Sequence, residues 1–220
     1  MMNQIIQFVL ASQSPRRKEL LQRLGVSFQV ITSEVDETIS SVDPVMVTSI
    51  LANRKAMAVA EGLICEHGKL LMKEPLVDGM TLKVGPADKA IVIGADTVVV
   101  SEGRILGKPK SVVEARKMLK GMMNSSHEVY TGVALLTLQD GKQDRSRTFH
   151  EKTVVHIGKI DEIELEEYIT TREPYDKAGG YGIQGEFCKY ITGIEGDYYN
   201  VVGLPIHKLY QELKGLGIRI

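Results

Sequence analysis

The sequence predicts an α/β protein, and three stretches carry that prediction. From Phe8 to Leu21 an apolar run (Phe8 to Ala11) breaks at Ser12-Gln13-Ser14-Pro15, and Leu20, Leu21 and Leu24 then recur at helical spacing. That is a strand, a tight turn and a helix. Ala90 to Val100 is apolar on both faces, as a strand in the middle of a sheet must be. Pro44 to Glu61 places Val47, Ile50, Leu51, Ala58 and Val59 on a helical stripe beside the basic pair Arg54 and Lys55.

The whole chain sets bounds. Its 220 residues suffice for one large domain or two small lobes with a proper core. A net charge of −1 gives no global basic field, so no nucleic-acid partner is expected and anions would bind locally. Cys65 and Cys188 lie far apart without metal spacing and read as reduced. No apolar run reaches bilayer length, and the short run Ile5–Ala11 lacks the charged start of a secretory signal. These features point to a cytoplasmic protein with no membrane partner.

In order along the chain, Pro15 suits the first helical position and Ser14 is placed to cap it. Arg16 and Arg17 then stand where the helix dipole disfavours cations, an arrangement that suits a phosphate. Gly25 stops the helix, and Ser27 to Ile31 alternates as a strand. The acidic run Ser33 to Thr38 is either a solvated loop or, at a strand's C-terminal end, a source of a metal-binding carboxylate. Lys55 either lies on the wet face of its helix or reaches a cleft. Gly62 to Lys89, rich in Gly and Pro, reads as a long surface excursion with a hairpin around Asp78-Gly79.

Asp96 and Thr97 interrupt the most apolar strand. A carboxylate there is costly unless paired or metal-bound, which makes Asp96 the strongest single candidate for function. Ser101 to Arg104 turns into Ile105-Leu106-Gly107, and a folded-back hairpin would bring Lys108 towards Asp96. Ser111 and Glu114 form a capping box for a helix from Val112 to about Lys120. A strand from His127 to Leu138 turns at Asp140-Gly141 and returns from Arg147 to Ile157, with Thr148, Glu151, Thr153 and His156 expected on one wet face. The histidines share no motif and take no catalytic role. Asp161 is placed to cap a short helix to Thr171. Glu173 to Gly185 carries Gly179, Gly180, Gly182 and Gly185, which let backbone approach a ligand, with the pair Asp176 and Lys177, and with Gln184, whose amide suits a base edge. Tyr198, Tyr199 and Asn200 are placed to face a cleft, before Gly203-Leu-Pro205 opens a last helix.

Five motifs then stand in one order: Leu10-Ala-Ser-Gln-Ser-Pro-Arg-Arg17, Gly94-Ala-Asp-Thr-Val-Val99, Leu106-Gly-Lys-Pro109, Pro174-Tyr-Asp-Lys-Ala-Gly-Gly-Tyr-Gly-Ile-Gln-Gly185 and Tyr199-Asn-Val-Val-Gly-Leu-Pro205. Together they resemble the Maf (septum formation) family over nearly the whole chain. The resemblance implies one domain over residues 1–220, an elongated mixed β-sheet with flanking helices, and two lobes around a deep cleft, similar to the inosine triphosphate pyrophosphatase architecture. It also implies hydrolysis of a nucleoside triphosphate to the monophosphate and pyrophosphate with a divalent metal, Mg²⁺ or Mn²⁺. Carried over, Asp96 is the catalytic carboxylate and Glu37 supports the metal or water. Ser12, Arg16 and Arg17 are the phosphate end, and Lys55 and Lys108 share the charged cleft. Arg16, Thr97 and Gln184 match the dTTP/UTP-type branch rather than the 7-methyl-GTP-type branch. Gly62 to Lys89 is longer than the bacterial pattern. The family suggests a homodimer, which no sequence patch shows. Two rival readings are the same chemistry on 7-methyl-GTP or another modified nucleotide, and a non-catalytic nucleotide-binding regulator of septum formation or cell division.

Overall fold

The computed structural model describes residues 6–32, 34–66, 69–72, 83–86, 89–139 and 142–220. Its centre is the long strand β6 (Lys89–Ser101), paired along its length with β8 (Ser125–Gln139). The first strand, β1 (Ile6–Leu10), runs parallel to β6 and to β2 (Phe28–Val30). On the other side β8 pairs antiparallel with β9 (Lys142–Ile157), and β9 with β10 (Ile191–Glu195). The short β7 (Arg104–Leu106) folds back on β6 as the hairpin pattern predicts. The result is a seven-stranded mixed sheet in the order β10-β9-β8-β6-β1-β2, with β7 on β6.

Strand alternation decides which helix covers which face. Val9, Ala11, Ala90 and Val92 face helix α2 (Pro44–Gly62), packing on its Ala52, Ala56 and Val59. Phe8, Leu10, Ile91, Ile93 and Ala95 face the other way, onto Leu20 and Leu21 of α1 (Pro15–Gln22) and Leu209 and Leu213 of α6 (Ile206–Gly215). Further along, Val99 packs with Leu119 of α3 (Val112–Met122) and Leu165 and Ile169 of α4 (Glu162–Thr170), while Val98 and Val100 pack on Val47 and Leu51. One short helix, α5 (Tyr198–Val202), completes the chain order.

Several expectations shift. The buried face of α2 is centred on Ala52 and Ala56 rather than on Ile50 and Ala58, because the helix sits almost in contact with the sheet backbone. A Cβ on Gly94 would collide with the Ala52 carbonyl oxygen, and one on Gly132 would lie 2.5 Å from the Thr48 carbonyl carbon. Only small residues fit there. Within 62–89 the described parts are regular: β3 (Leu63–Glu66), β4 (Lys69–Met72) and β5 (Lys83–Pro86) form a separate antiparallel sheet. Asp78-Gly79 lies outside the described residues, as does the turn at Asp140-Gly141. On β9, Thr148 and His156 do face outwards, but Thr153 is fully buried and Glu151 shares its side, since odd and even positions of one strand cannot share a face. Asp161 holds the cap position of α4 without a side-chain cap bond. Glu114 reaches back to the Lys110 amide (2.6 Å), while Ser111 accepts from the Glu114 amide (3.2 Å).

Candidate functional site: a gap in the central sheet

The site arises where β6 loses its neighbours. Strand β1 pairs with β6 only as far as Ile93, with the Ala11 amide adding one last bond to the Ile93 carbonyl (2.8 Å). Strand β7 rejoins at Val99. Between them, among the described residues, one edge of β6 carries no partner strand, and there the strand's burial breaks, at Asp96 and Thr97 alone between Ala90 and Ser101. A cavity of about 1320 Å³ opens at this gap. The sequence builds it because Ser12-Gln13-Ser14-Pro15 turns the chain away from the sheet and into α1. Ser14 caps that helix by accepting from the Arg17 amide (3.4 Å).

Asp96 and Thr97 point to opposite faces, as neighbours on a strand do. Asp96 faces α2, where Lys55 Nζ donates to Asp96 Oδ1 (2.6 Å) and also sits 2.8 Å from Glu37 Oε1. The Lys55 and Asp96 side chains are only 18% and 13% exposed, so neither is a solvated surface charge. The close seating of α2 over Gly94 and Gly132 delivers Lys55 to this point, which resolves the choice between wet face and cleft. Glu37 comes from the acidic loop after β2. Its hydrogen bond from Lys55 holds its carboxyl below the usual carboxylate range against partial burial, and the charges of Lys108 and Arg17 add to this.

Thr97 faces the other way, into a polar network. Arg17 Nη2 donates to Thr97 Oγ1 (2.9 Å), Nη1 to Ser12 Oγ (3.2 Å) and Nε to the Gly203 carbonyl (2.8 Å). Burial pulls the Arg17 pKa down from its ordinary value, with the charge of Asp96 opposing, and the guanidinium stays a cation. Arg16, from the same turn, instead points across the cavity, 3.8 Å from Asp176 Oδ2. The two arginines that look equivalent in sequence are thus one tethered and one half-exposed cation.

The glycine-rich stretch forms the opposite wall with two short 3-10 turns (Glu173–Asp176 and Ala178–Gly180), and a third follows it directly (Glu186–Tyr190). Glu173 organises it by accepting from the Glu186 amide (3.0 Å) and the Tyr168 hydroxyl (3.1 Å). Gly179, at φ +73°, packs on Val99, a conformation and a contact that suit glycine. Lys177 lies beneath Gly182 and is engaged by Asp176 (2.5 Å) and the Glu173 carbonyl (3.0 Å). Gln184 and Lys108 line the cavity and are exposed within it.

All of Ser12, Arg16, Arg17, Glu37, Lys55, Asp96, Thr97, Lys108 and Gln184 therefore line one cavity. Lys108 approaches the acidic side through its field on Glu37, while the direct partner of Asp96 is Lys55. Tyr198, Tyr199 and Asn200 do not line the cavity, and Asn200 is fully buried beneath it. Gln13, Glu34 and Lys110 also line it and carried no sequence signal beyond their neighbours in the motifs. Among the described residues, no group of three or more His, Cys, Asp or Glu converges. The donor set is the pair Asp96 and Glu37, each giving one oxygen to Lys55. Two carboxylates with water and substrate oxygens match the way Mg²⁺ is commonly held, so the residues fit such an ion.

Fold and site define an α/β protein with a cleft that sets a half-buried carboxylate among cations, the chemistry of a polyphosphate site. Comparison with known sequences is consistent with that class. The profile of the Maf-like protein family matches residues 7–216, and the chain belongs to the Maf family. A dTTP/UTP pyrophosphatase of Agathobacter rectalis is 42% identical over 97% of this chain and 99% of its own length. One of Bacillus cytotoxicus is 45% identical over 94% of each chain. Among solved structures, the Ham1 protein of Staphylococcus aureus covers 96% of this chain and 99% of its own at 13% identity and a TM-score of 0.43. A HAM1 protein of Coxiella burnetii covers 96% and 100% at 14% identity and a TM-score of 0.45.

Proposed function

We infer that the chain is a nucleoside triphosphate pyrophosphatase that hydrolyses dTTP and UTP to the monophosphate and pyrophosphate. The observation that carries this reading is the Asp96–Lys55–Glu37 cluster in the gap of the sheet, in a chain whose full-length relatives bear that enzyme name.

The reaction needs a water aimed at the α-phosphorus and compensation for charge on the phosphates. Asp96 is half-buried, kept beside a cation, and faces the cavity, so it orients the attacking water and takes its proton. Lys55 holds Asp96 and Glu37 in one place before substrate arrives. Arg17, tethered at three points, retains one N–H on each terminal nitrogen for phosphate oxygens. Arg16, Lys108 and the turn at Ser12 complete the phosphate end. Asp96 and Glu37 would hold a divalent cation, Mg²⁺ or Mn²⁺, which when bound supplies positive charge at the phosphates. Thr97 is committed to Arg17 and to its neighbour on β8, so base choice falls to Gln184, whose amide offers both a donor and an acceptor to a pyrimidine edge. The proposed organisation is one domain with two lobes meeting at Asp96 and Thr97, in a cytoplasmic protein.

The test is pyrophosphate release from dTTP, UTP, CTP, GTP and 7-methyl-GTP with Mg²⁺, Mn²⁺ or EDTA. Metal-dependent release from dTTP and UTP is the expected result. Release from a purine alone would keep Asp96 and overturn the base choice. Binding of UTP without release from any nucleotide would overturn the activity.

A further inference from the structure

The polar network behind Thr97 has a direction. Thr131 is fully buried on β8, directly opposite Thr97 in the ladder, and does not line the cavity. Its hydroxyl donates to the Asn200 carbonyl (3.0 Å). A hydroxyl has one proton. With that proton spent, the 2.9 Å contact between Thr97 and Thr131 must run from the Thr97 hydroxyl to Thr131 Oγ1. Thr97 then has lone pairs, and no proton, for Arg17 Nη2, which donates to it at 2.9 Å. The chain therefore runs one way: Arg17 to Thr97 to Thr131 to the Asn200 carbonyl.

The far end is rigid. The Asn200 side chain donates to the Val129 carbonyl (3.0 Å) and to Thr153 Oγ1 (3.0 Å), and Thr153 donates to the Asp197 carbonyl (2.9 Å). This pins α5 to β8 and β9. Three residues on, Gly203 presents its carbonyl to Arg17 Nε. The short helix and the glycine that caps it thus anchor the guanidinium twice, Gly203 directly and Asn200 through the two threonines.

We propose that Thr131 is a positioning residue, which orients the Arg17 guanidinium towards phosphate by fixing the proton of Thr97. It does not line the cavity, so it acts on phosphate through Thr97 and not by contact. The proposal rests on the reading of Arg17 as a phosphate ligand. Removing the Thr131 hydroxyl leaves Thr97 free to turn its proton towards Arg17, where a donor would face a donor.

The test compares Thr131→Val, which keeps the shape, with Thr131→Ser, which keeps the hydroxyl. Binding of inorganic pyrophosphate is read by titration calorimetry, which needs no turnover. Thr131→Val should weaken it about tenfold, the scale of one hydrogen bond to a charged group, and Thr131→Ser should stay within twofold of the parent. In an Arg17→Lys background, Thr131→Val should cost less than twofold in kcat/KM for dTTP. If Thr131→Val yields no folded protein, Thr131→Ala replaces it in both comparisons. Equal losses in Val and Ser variants, an unchanged Val variant, or the same cost with Lys at position 17 would each overturn the proposal. A parent that binds no pyrophosphate would also overturn it. A parent that binds pyrophosphate but releases none from any nucleotide would refute the activity and leave this inference standing.

Discussion

At the residue scale, Asp96 is held by Lys55 in a place where few side chains would pack. Asp96→Asn keeps the shape and leaves Lys55 its contact with Glu37, so the fold should survive. Turnover should fall about 10²- to 10⁴-fold, the usual range for a lost general base. Steady-state pyrophosphate release beside a circular dichroism melt checks both halves, and activity within a few-fold of the parent would sink the assignment. Glu37 offers a second check. Its carboxyl stays ionised below the usual carboxylate range chiefly through the Lys55 hydrogen bond. Lys55→Met should move its titration back up towards the ordinary value, as seen by carboxyl NMR. An unmoved Glu37 would mean that Lys108 and Arg17 hold it instead.

At the element scale, the seat of α2 is the feature that brings acid and base together. Gly132→Ala would drive a methyl group into the Thr48 backbone, and backbone cannot step aside as a side-chain tip can. Overpacking of this kind costs about 1–3 kcal/mol and sometimes more. The displaced helix should also carry Lys55 away from Asp96. Urea melts should show the loss of stability, and kcat should drop with it although residue 132 touches no substrate. Wild-type turnover in a destabilised Gly132→Ala protein would separate the helix seat from the site.

At the scale of the whole molecule, pH and ligand act on the folding equilibrium. His127 is buried against the Tyr181 hydroxyl (2.6 Å), and burial pushes its pKa down to about 4. Near pH 7 it is neutral folded and largely neutral unfolded. As pH falls below about 6.5 the unfolded chain takes up a proton that the folded one refuses, so stability declines down to about pH 4. The full drop is about 3 kcal/mol. Replacing His127 with Gln should flatten that part of the curve of melting temperature against pH, and a curve of unchanged slope would assign it to other groups. A non-hydrolysable dTTP analogue at roughly 100 times its Kd adds about 2.7 kcal/mol by mass action. That should raise the Tm by about 5–10 °C for a chain of this size. EDTA should shrink the rise if cation and nucleotide bind together.

Local chemistry was enough for the sequence to determine most of the elements and to nominate the candidate residues. An apolar run on both faces marks a central strand, a Pro after a Ser marks a helix start, and an Asp inside such a strand has no packing reason to be there. What it could not determine was which side of a strand or helix each group takes relative to distant ones. Only the tertiary structure put α2 on the Asp96 side and Arg17 on the Thr97 side, and tied Arg17 down while leaving Arg16 to point across the cavity. It also chose Lys55, 41 residues away, as the partner of Asp96. The regular pairing inside 62–89 was likewise invisible, because which strands pair is decided between stretches of the chain rather than within one, whereas strand alternation alone already separates Thr153 from Thr148 and His156. The gap in the sheet is the clearest case. The turn after Leu10 can be read locally, but the gap itself exists because β1 stops opposite Ile93 while β7 ends at Leu106 opposite Val99, so the edge of β6 between them is left open by the register of strands far apart in the chain.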